Sequence, residues 1–294
     1  MTAIGGARQL TAVEGQSRIP KPLRRVGVHA VVILLMVIWL LPTVGLLINS
    51  FRHATDVTSS GWWVPSAYTL ENYDAILSQS SLVDAFVNSL FITIPATIIP
   101  ILVAAFAAYA FSWMNFRGRN WLFIFVVGLL VVPLQMTLIP ILKLYAGAGL
   151  NGQFLAVWLA HTGYGLPFAI YLLRNFMGSL PREVFESAYI DGASPVTAFF
   201  RLALPMSVPA IAALAIFQFL FVWNDLLVAI TYIGATNSEN LPLTGFVSNL
   251  VGSTGAGWEL LGSAAFLSMA LPLIVFFALQ RYFVRGITGG AVKG

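Results

Sequence analysis

The stretch from Ser179 to Pro209, SLPREVFESAYIDGASPVTAFFRLALPMSVP, holds the residues whose types and spacing point most clearly to a task. By residue types alone it reads as an amphipathic interfacial loop, whose charged and small residues also suit docking, with no covalent step. Pro181 suits the first turn of a helix. Glu183 and Glu186 follow near that helix's positive end. Asp191-Gly192 is a turn signal. Ser194-Pro195 reads as a second helix start, with serine as N-cap and proline in the first helical position. Two short helices joined at a glycine are expected, with Leu204-Pro205 where the chain returns to apolar sequence. Glu186 and Asp191 supply charge for a partner. Ala188, Gly192 and Ala193 allow another backbone to come close.

Other chemistries find little support. The sequence has no cysteine, which removes disulfides, thiolate metal sites and cysteine nucleophiles. His29, His53 and His161 lie far apart, and no two stand at the helical spacing of a metal-ligand pair. His161 falls in an apolar run and reads as a polar packing residue. No G-x-x-x-x-G-K-[ST] sequence is present, so nucleotide hydrolysis is not expected on this chain.

The elements around the docking loop are set by composition. The 294 residues are 59% hydrophobic and only 9% charged, with a mean hydropathy of +0.86. Soluble domains carry about 25% charged residues, so the natural solvent here is lipid. Residues 1–25 are polar and read as a cytosolic tail. The run 26–48 is too long for a signal-peptide core and reads as a first, uncleaved transmembrane helix. An external loop is expected over 49–83, and a core over 84–283 with apolar runs at about 84–113, 121–142, 153–176, 207–232 and 260–283. A tail follows over 284–294. Pro95 and Pro100 each remove a backbone donor from the second run, and the kinks must pack against protein or a cavity.

Charge gives the orientation. With the N-terminus in the cytosol, inside segments hold five basic residues in the N-terminal tail, Arg117 and Arg119, Arg174, Arg182 and Arg201, and three near the C-terminus. Outside segments hold only Arg52 and Lys143. The positive-inside rule then places both termini in the cytosol and favours six spans. Trp62, Trp63, Tyr68 and Tyr73 in the first outer loop suit the headgroup level. Basic residues at the ends of apolar runs are topology signals, so the net charge of +4 does not point to nucleic acid.

The order of residues in the docking loop resembles the "EAA" loop of ABC importer permeases. That pattern is Glu-Ala-Ala, three residues, glycine, then leucine-proline about a dozen residues later. Here it reads Glu186-Ser187-Ala188, Asp191-Gly192-Ala193 and Leu204-Pro205. Ser187 departs from the alanine of the pattern by a small-for-small change. Ala107 to Ala110 with Phe116 to Arg119 resembles the end of span two in sugar-type permeases. The tail Gly286 to Gly294 resembles that of the second permease of maltose-type importers, and the whole is most like alpha-glucoside permeases. The resemblance covers about residues 25–294. It implies an all-α polytopic membrane protein of six transmembrane helices, with 179–209 as a cytosolic coupling helix pair docking on an ATPase subunit. It also implies a tail whose Gly289, Gly290 and Lys293 reach the ATPase. The partners would be a second permease, two ATPase subunits that hold ATP and Mg, an external solute-binding protein, membrane lipid and a sugar. The location would be a bacterial or archaeal plasma membrane.

Polar groups at membrane depth face a cavity or another helix. Asn224 and Asp225, with Trp223 before them, fall inside the fifth run. Aromatic faces and carboxylates both hold sugar rings, so these three are candidates for the substrate path. Asp225 is the only carboxylate well inside a late run and stands isolated from other titratable groups in the sequence. Gln135, between Pro133 and Pro140, is a further candidate, as are Asn88 and Tyr171. Each has a packing alternative. The rival readings are a permease for another organic solute such as a glycerol-phosphate compound, an ion-coupled secondary transporter, and a membrane-embedded enzyme. Sparse basic residues at membrane depth weigh against the first. The second lacks an internal repeat, and the third lacks a nucleophile, base or metal cluster.

Overall fold

A computed structural model describes residues 21–234, 237, 239–250 and 257–291. Among these the chain is helical, with one isolated β-bridge between Arg52 and Tyr68. It divides into two compact units, residues 1–46 and 47–294. Helix α1 (Lys21–Ser50) supplies the described part of the first unit, and its Arg25–Ser50 stretch has a mean hydropathy of 2.9. The helix begins inside the segment expected as a tail.

In the second unit, short helices α2 (Ala54–Ser59) and α3 (Glu71–Leu77) occupy the expected outer loop. They precede the long helix α4 (Ser80–Trp113). Helix α5 (Arg119–Gly128), a 3₁₀ turn and α6 (Leu134–Gly147) follow, then α7 (Phe154–Met177). The docking loop carries α8 (Arg182–Ile190), α9 (Pro195–Ala198), a π-helical turn and α10 (Leu204–Met206). The chain then forms α11 (Val208–Trp223), α12 (Leu227–Ala229), α13 (Leu243–Asn249) and α14 (Trp258–Ala291).

Four helices are long and apolar enough to cross a membrane: α1, α4, α7 and α14. Two bent pairs bring the number to six when each counts as one span. One pair joins Arg119–Val131 to Leu134–Gly147 with a bend of 100°. The run 121–142, expected as one helix, therefore breaks. Pro133 has no N–H, and Val132 before it is extended at ψ 116°. The other pair joins Pro195–Met206 to Val208–Trp223 with a bend of 70°, two residues past Leu204-Pro205. The run 207–232 also breaks, because helix α11 stops at Trp223.

The core of the second unit lies where α4, α7, α11 and α14 meet. Small residues bring the axes together: Ala96, Ala104, Ala108, Ala156 and Ala169 are buried. Gly165 marks a close approach of α7 to α11. A methyl group there would lie 2.5 Å from Gln218 Oε1.

Prolines shape this core. Each proline inside a helix leaves the carbonyl four residues earlier without its partner. Pro95 frees the Phe91 carbonyl, which accepts from Trp158 Nε1 of α7 at 2.8 Å. Pro100 frees that of Ala96, which accepts from Gln218 Nε2 of α11 at 3.1 Å. Pro272 frees that of Ser268, which accepts from Trp223 Nε1 at 3.1 Å. Away from water an unpaired carbonyl costs several kcal/mol on the order of magnitude. These three bonds let proline-bearing helices persist at membrane depth, and they tie α4 to α7 and α11, and α11 to α14.

Candidate coupling loop and translocation path

The docking loop is held by local bonds. Helix α8 ends in a Schellman motif: Ala193 N donates to the Ala188 carbonyl at 2.9 Å and Gly192 N to that of Tyr189 at 3.1 Å. This needs a left-handed residue, and Gly192 sits at φ +84°. Ser194 caps α9, accepting from Thr197 N at 3.1 Å with Pro195 next in the helix. The expected helix-turn-helix is present, with the turn at Gly192.

The loop is anchored to the ends of α4 and α7. Phe185 is buried and stacks on Trp113, ring centroids 3.8 Å apart. Trp113 Nε1 donates to the Met177 carbonyl at 3.0 Å. Tyr109 donates to the Pro195 carbonyl at 2.9 Å, and its hydroxyl lies 3.1 Å from that of Tyr189. The Phe185, Tyr189 and Pro195 contacts hold α8 and α9 against α4, and the Trp113 bond to Met177 ties α4 to α7 beside them.

The side of the loop turned away from the spanning helices is left bare by the described residues. Ile190 is 86% exposed and Val196 65%. Glu186, Ser187, Asp191 and Gly192 are exposed as well. Glu186 and Asp191 form no ion pair among the described residues. A groove of ≈ 370 Å³ runs beside Ala188, Asp191, Gly192, Ala193 and Arg201. Two apolar side chains framed by unpaired charge thus stand bare on this side. The apolar pair was absent from the sequence reading, although Ile190 and Val196 flank the Asp-Gly turn and a turn projects its flanks.

The substrate-path candidates do not converge on one site. Trp223 is buried, with its N–H engaged at Ser268 and its ring stacked on Phe219 at 5.7 Å. Asn88 Nδ2 donates to the carbonyls of Glu239 and Leu241, tying α4 to the segment before α13. Asn224 is the C-cap just past the last residue of α11, and its amide folds back to the Leu220 carbonyl. Gln135 is exposed in the first turn of α6, and Tyr171 is exposed on α7. Of the tail residues, Gly289 and Gly290 lie in the last turn of α14, and Lys293 lies outside the described residues.

Asp225 needs two corrections. It stands in the break after α11 rather than within a continuous helix, and it is not isolated. Its carboxylate accepts from Val228 N at 3.3 Å and Ala229 N at 3.1 Å, capping α12. Its Oδ2 also lies 3.6 Å from Nε2 of fully buried His161. The local bonds explain the break, because an aspartate that caps the next turn competes with helix continuation. His161 lies 64 positions earlier in the sequence, so only the packing of α7 on α11 brings the two together.

A larger opening lies between the bent pair α5–α6 and α7. It has a volume of ≈ 450 Å³, with Thr137, Tyr145, Gly163, Tyr164, Pro167 and Phe221 among its walls. None of the candidates from sequence lines it. Among the described residues, no group of three or more His, Asp or Glu side chains could hold a metal ion.

The fold and the loop together describe a membrane transport component, and comparison with known proteins agrees. Residues 100–289 match the family of binding-protein-dependent transport system inner membrane components. The chain belongs to that family. It is 54% identical over 277 residues to the osmoprotective compounds uptake permease protein GgtD of Synechocystis sp., covering 92% of this chain and 93% of that one. It is 56% identical over 235 residues to the alpha-glucoside transport system permease protein AglG of Rhizobium meliloti, covering 78% of this chain and 62% of that one. Its fold is similar to that of a chain in the crystal structure of a bacterial ABC transporter that imports the acidic polysaccharide alginate. There the TM-score is 0.76 at 19% identity, covering 90% of this chain and 99% of that one. The protein is thus a multi-pass ABC permease subunit, a transport component and not an enzyme.

Proposed function

We propose that this chain forms half of the translocation pathway of an ATP-driven importer for α-glucosides or related oligosaccharides. A second permease would complete the pathway, and an external solute-binding protein would deliver the sugar. Two ATPase subunits would carry ATP and Mg. Both termini face the cytosol in this reading, on the side of the docking loop. The observation that carries the assignment is the outward side of α8 and α9. A locally rigid helix pair, anchored on Trp113 and Tyr109, leaves Ile190 and Val196 bare. Exposed apolar anchors with charged neighbours suit a protein cleft. ATP binding would close the ATPase dimer, pull this pair and rock α4 and α7 with it.

The α-glucoside assignment rests on the relative AglG. The relative GgtD supports a second reading, in which the cargo is an osmoprotective compound.

The test is Ile190→Asp together with Glu186→Lys. Neither residue lies in a spanning helix, so the membrane core is expected to fold normally. Co-purification of the ATPase subunits and sugar uptake should both fall more than about tenfold, the cost of one lost interface anchor. Wild-type assembly and uptake in both variants would remove the loop from the coupling role.

A further inference from the structure

His161 is buried on α7 with 1% of its side chain exposed, and neither ring nitrogen has a hydrogen-bond partner among the described residues. At least one ring nitrogen of a histidine carries a proton and so needs an acceptor. Buried polar groups are almost always paired, because one left alone has given up its bonds to water for nothing. Asp225 Oδ2 stands 3.6 Å from Nε2, too far for a good hydrogen bond. The two residues line one small cavity, walled also by Ser89 and Thr93 of α4 and by Ala229 of α12.

The bonds around that cavity leave capacity on its polar walls. Ser89 Oγ accepts from Leu243 N at 2.7 Å and donates to no described residue, so its proton is free. The Asp225 carboxylate accepts from Val228 N and Ala229 N, and ionised it keeps further lone pairs. Thr93 is buried, with a hydroxyl that can give or take a bond. Trp223 adds an apolar wall, since its N–H is engaged at Ser268. The cavity leaves ≈ 10 Å³ to the centre of a water molecule, which is room for about one.

The geometry points to this cavity as the site of a single internal water that bridges His161 Nε2 to the Asp225 carboxylate. A separation of 3.6 Å lets one water touch both atoms at ordinary hydrogen-bond distances. In this arrangement Nε2–H donates to the water, and the water donates to Oδ2. The Ser89 hydroxyl donates to the same water, and Thr93 Oγ1 accepts from it. Internal waters make about three hydrogen bonds on average, and these groups supply that many. The histidine is then a neutral donor, and the aspartate meets it through water instead of as a direct ion pair. The bridge joins α4, α7 and α12 where the fifth apolar run breaks, so a carboxylate at membrane depth keeps a solvating partner. The cavity shares no wall with the larger opening beside α5–α6, and the inference holds whatever the cargo.

The test is made on the purified permease complex in lipid nanodiscs. A cryo-electron microscopy map that shows ordered waters, recorded without sodium, should contain one peak within hydrogen-bond distance of His161 Nε2 and an Asp225 oxygen. X-ray radiolysis gives a second readout, because water split in place labels the side chains beside it. His161 and Trp223 should be labelled although buried, while Phe185, buried in the apolar core around α4 and α7, should not. Ala229→Val adds bulk to the cavity wall, and labelling of Trp223 should then drop to the level of Phe185. If that variant does not assemble, the wild-type map and labelling decide alone. A map with clear waters elsewhere and no peak here overturns the site, as does a direct bond from Nε2 to Oδ2. A peak that appears only when sodium is added overturns it in favour of an ion. Wild-type labelling of His161 and Trp223 no higher than that of Phe185, or labelling unchanged in an assembled Ala229→Val complex, also overturns it.

Discussion

The coupling loop and the helix core face the same problem and solve it at different ranges. Both contain backbone groups that a regular helix leaves without partners. In the loop, the partners are neighbours: Ala193 N reaches back to Ala188, and Thr197 N reaches Ser194. In the core, the partners are remote. Trp158 caps the Phe91 carbonyl from 67 residues away, and Gln218 caps that of Ala96 from 122. The loop can therefore form as a unit before it meets a partner. The carbonyls that Pro95 and Pro100 free in α4 find partners only because α7 and α11 are in place. A lever should be rigid by itself, while the helices it moves should depend on one another.

The largest expected effect breaks the local side of this comparison. Gly192→Val forces a β-branched residue to φ +84°, which costs about 1–2 kcal/mol or more in the left-handed region. A Cβ added there meets no described residue within 4 Å, so the cost is conformational. The Schellman turn should open, and ATPase co-purification should fall by roughly tenfold. Gly192→Asn should keep most of the coupling, because asparagine tolerates the left-handed region. Equal loss in both variants would indicate a docking requirement for bare backbone instead of a requirement for φ.

The same contrast explains what was legible in the sequence. The loop could be read residue by residue, since its caps and turn residues stand within six positions of the groups they satisfy. Six apolar runs were legible too, because spanning a bilayer demands about 20 apolar residues. The breaks were less so. Pro133 and Asp225 carried the signals, but apolar residues continue on both sides of each and hide the change of direction. The pairing of Asp225 with His161 could not be read at all, since it depends on the packing of α7 on α11. Trp223 shows the limit most clearly. An aromatic beside a polar pair suggests a sugar contact, and only the structure reveals its N–H at the carbonyl freed by Pro272.

A second experiment addresses the remote side. Gln218→Leu removes the donor at the Ala96 carbonyl and leaves that group buried and unpaired. The cost is about 1–3 kcal/mol, visible as a lower unfolding temperature of the complex in detergent. Pro100→Ala restores an N–H at position 100 and returns to the Ala96 carbonyl its partner in the helix. In that background Gln218→Leu should cost clearly less, and the double-mutant cycle gives the coupling directly. Additive effects would show that Gln218 acts by filling space beside Gly165 and not by capping the kink.

The smallest effect belongs to Asp225, where local and remote bonds meet. Its carboxylate caps two backbone N–H groups of α12 and also faces His161. The capping bonds are 3.3 Å and 3.1 Å, whereas the histidine stands 3.6 Å away, beyond a good hydrogen bond. The local role should therefore dominate. Asparagine caps a helix about as well as aspartate, while alanine loses about 1 kcal/mol. Asp225→Asn is expected to retain near wild-type stability and ATP-driven uptake, and Asp225→Ala to lower the unfolding temperature by a few degrees with reduced uptake. The His161→Gln variant should resemble Asp225→Asn. The comparison turns on the charge: asparagine keeps one accepting oxygen for the cap, its Nδ2 being unable to accept from the second N–H, and abolishes any ion pair. Collapse of uptake in a normally assembled Asp225→Asn complex, with stability preserved, would mean that the carboxylate charge beside His161 takes part in the transport cycle and that this break is more than a capped turn.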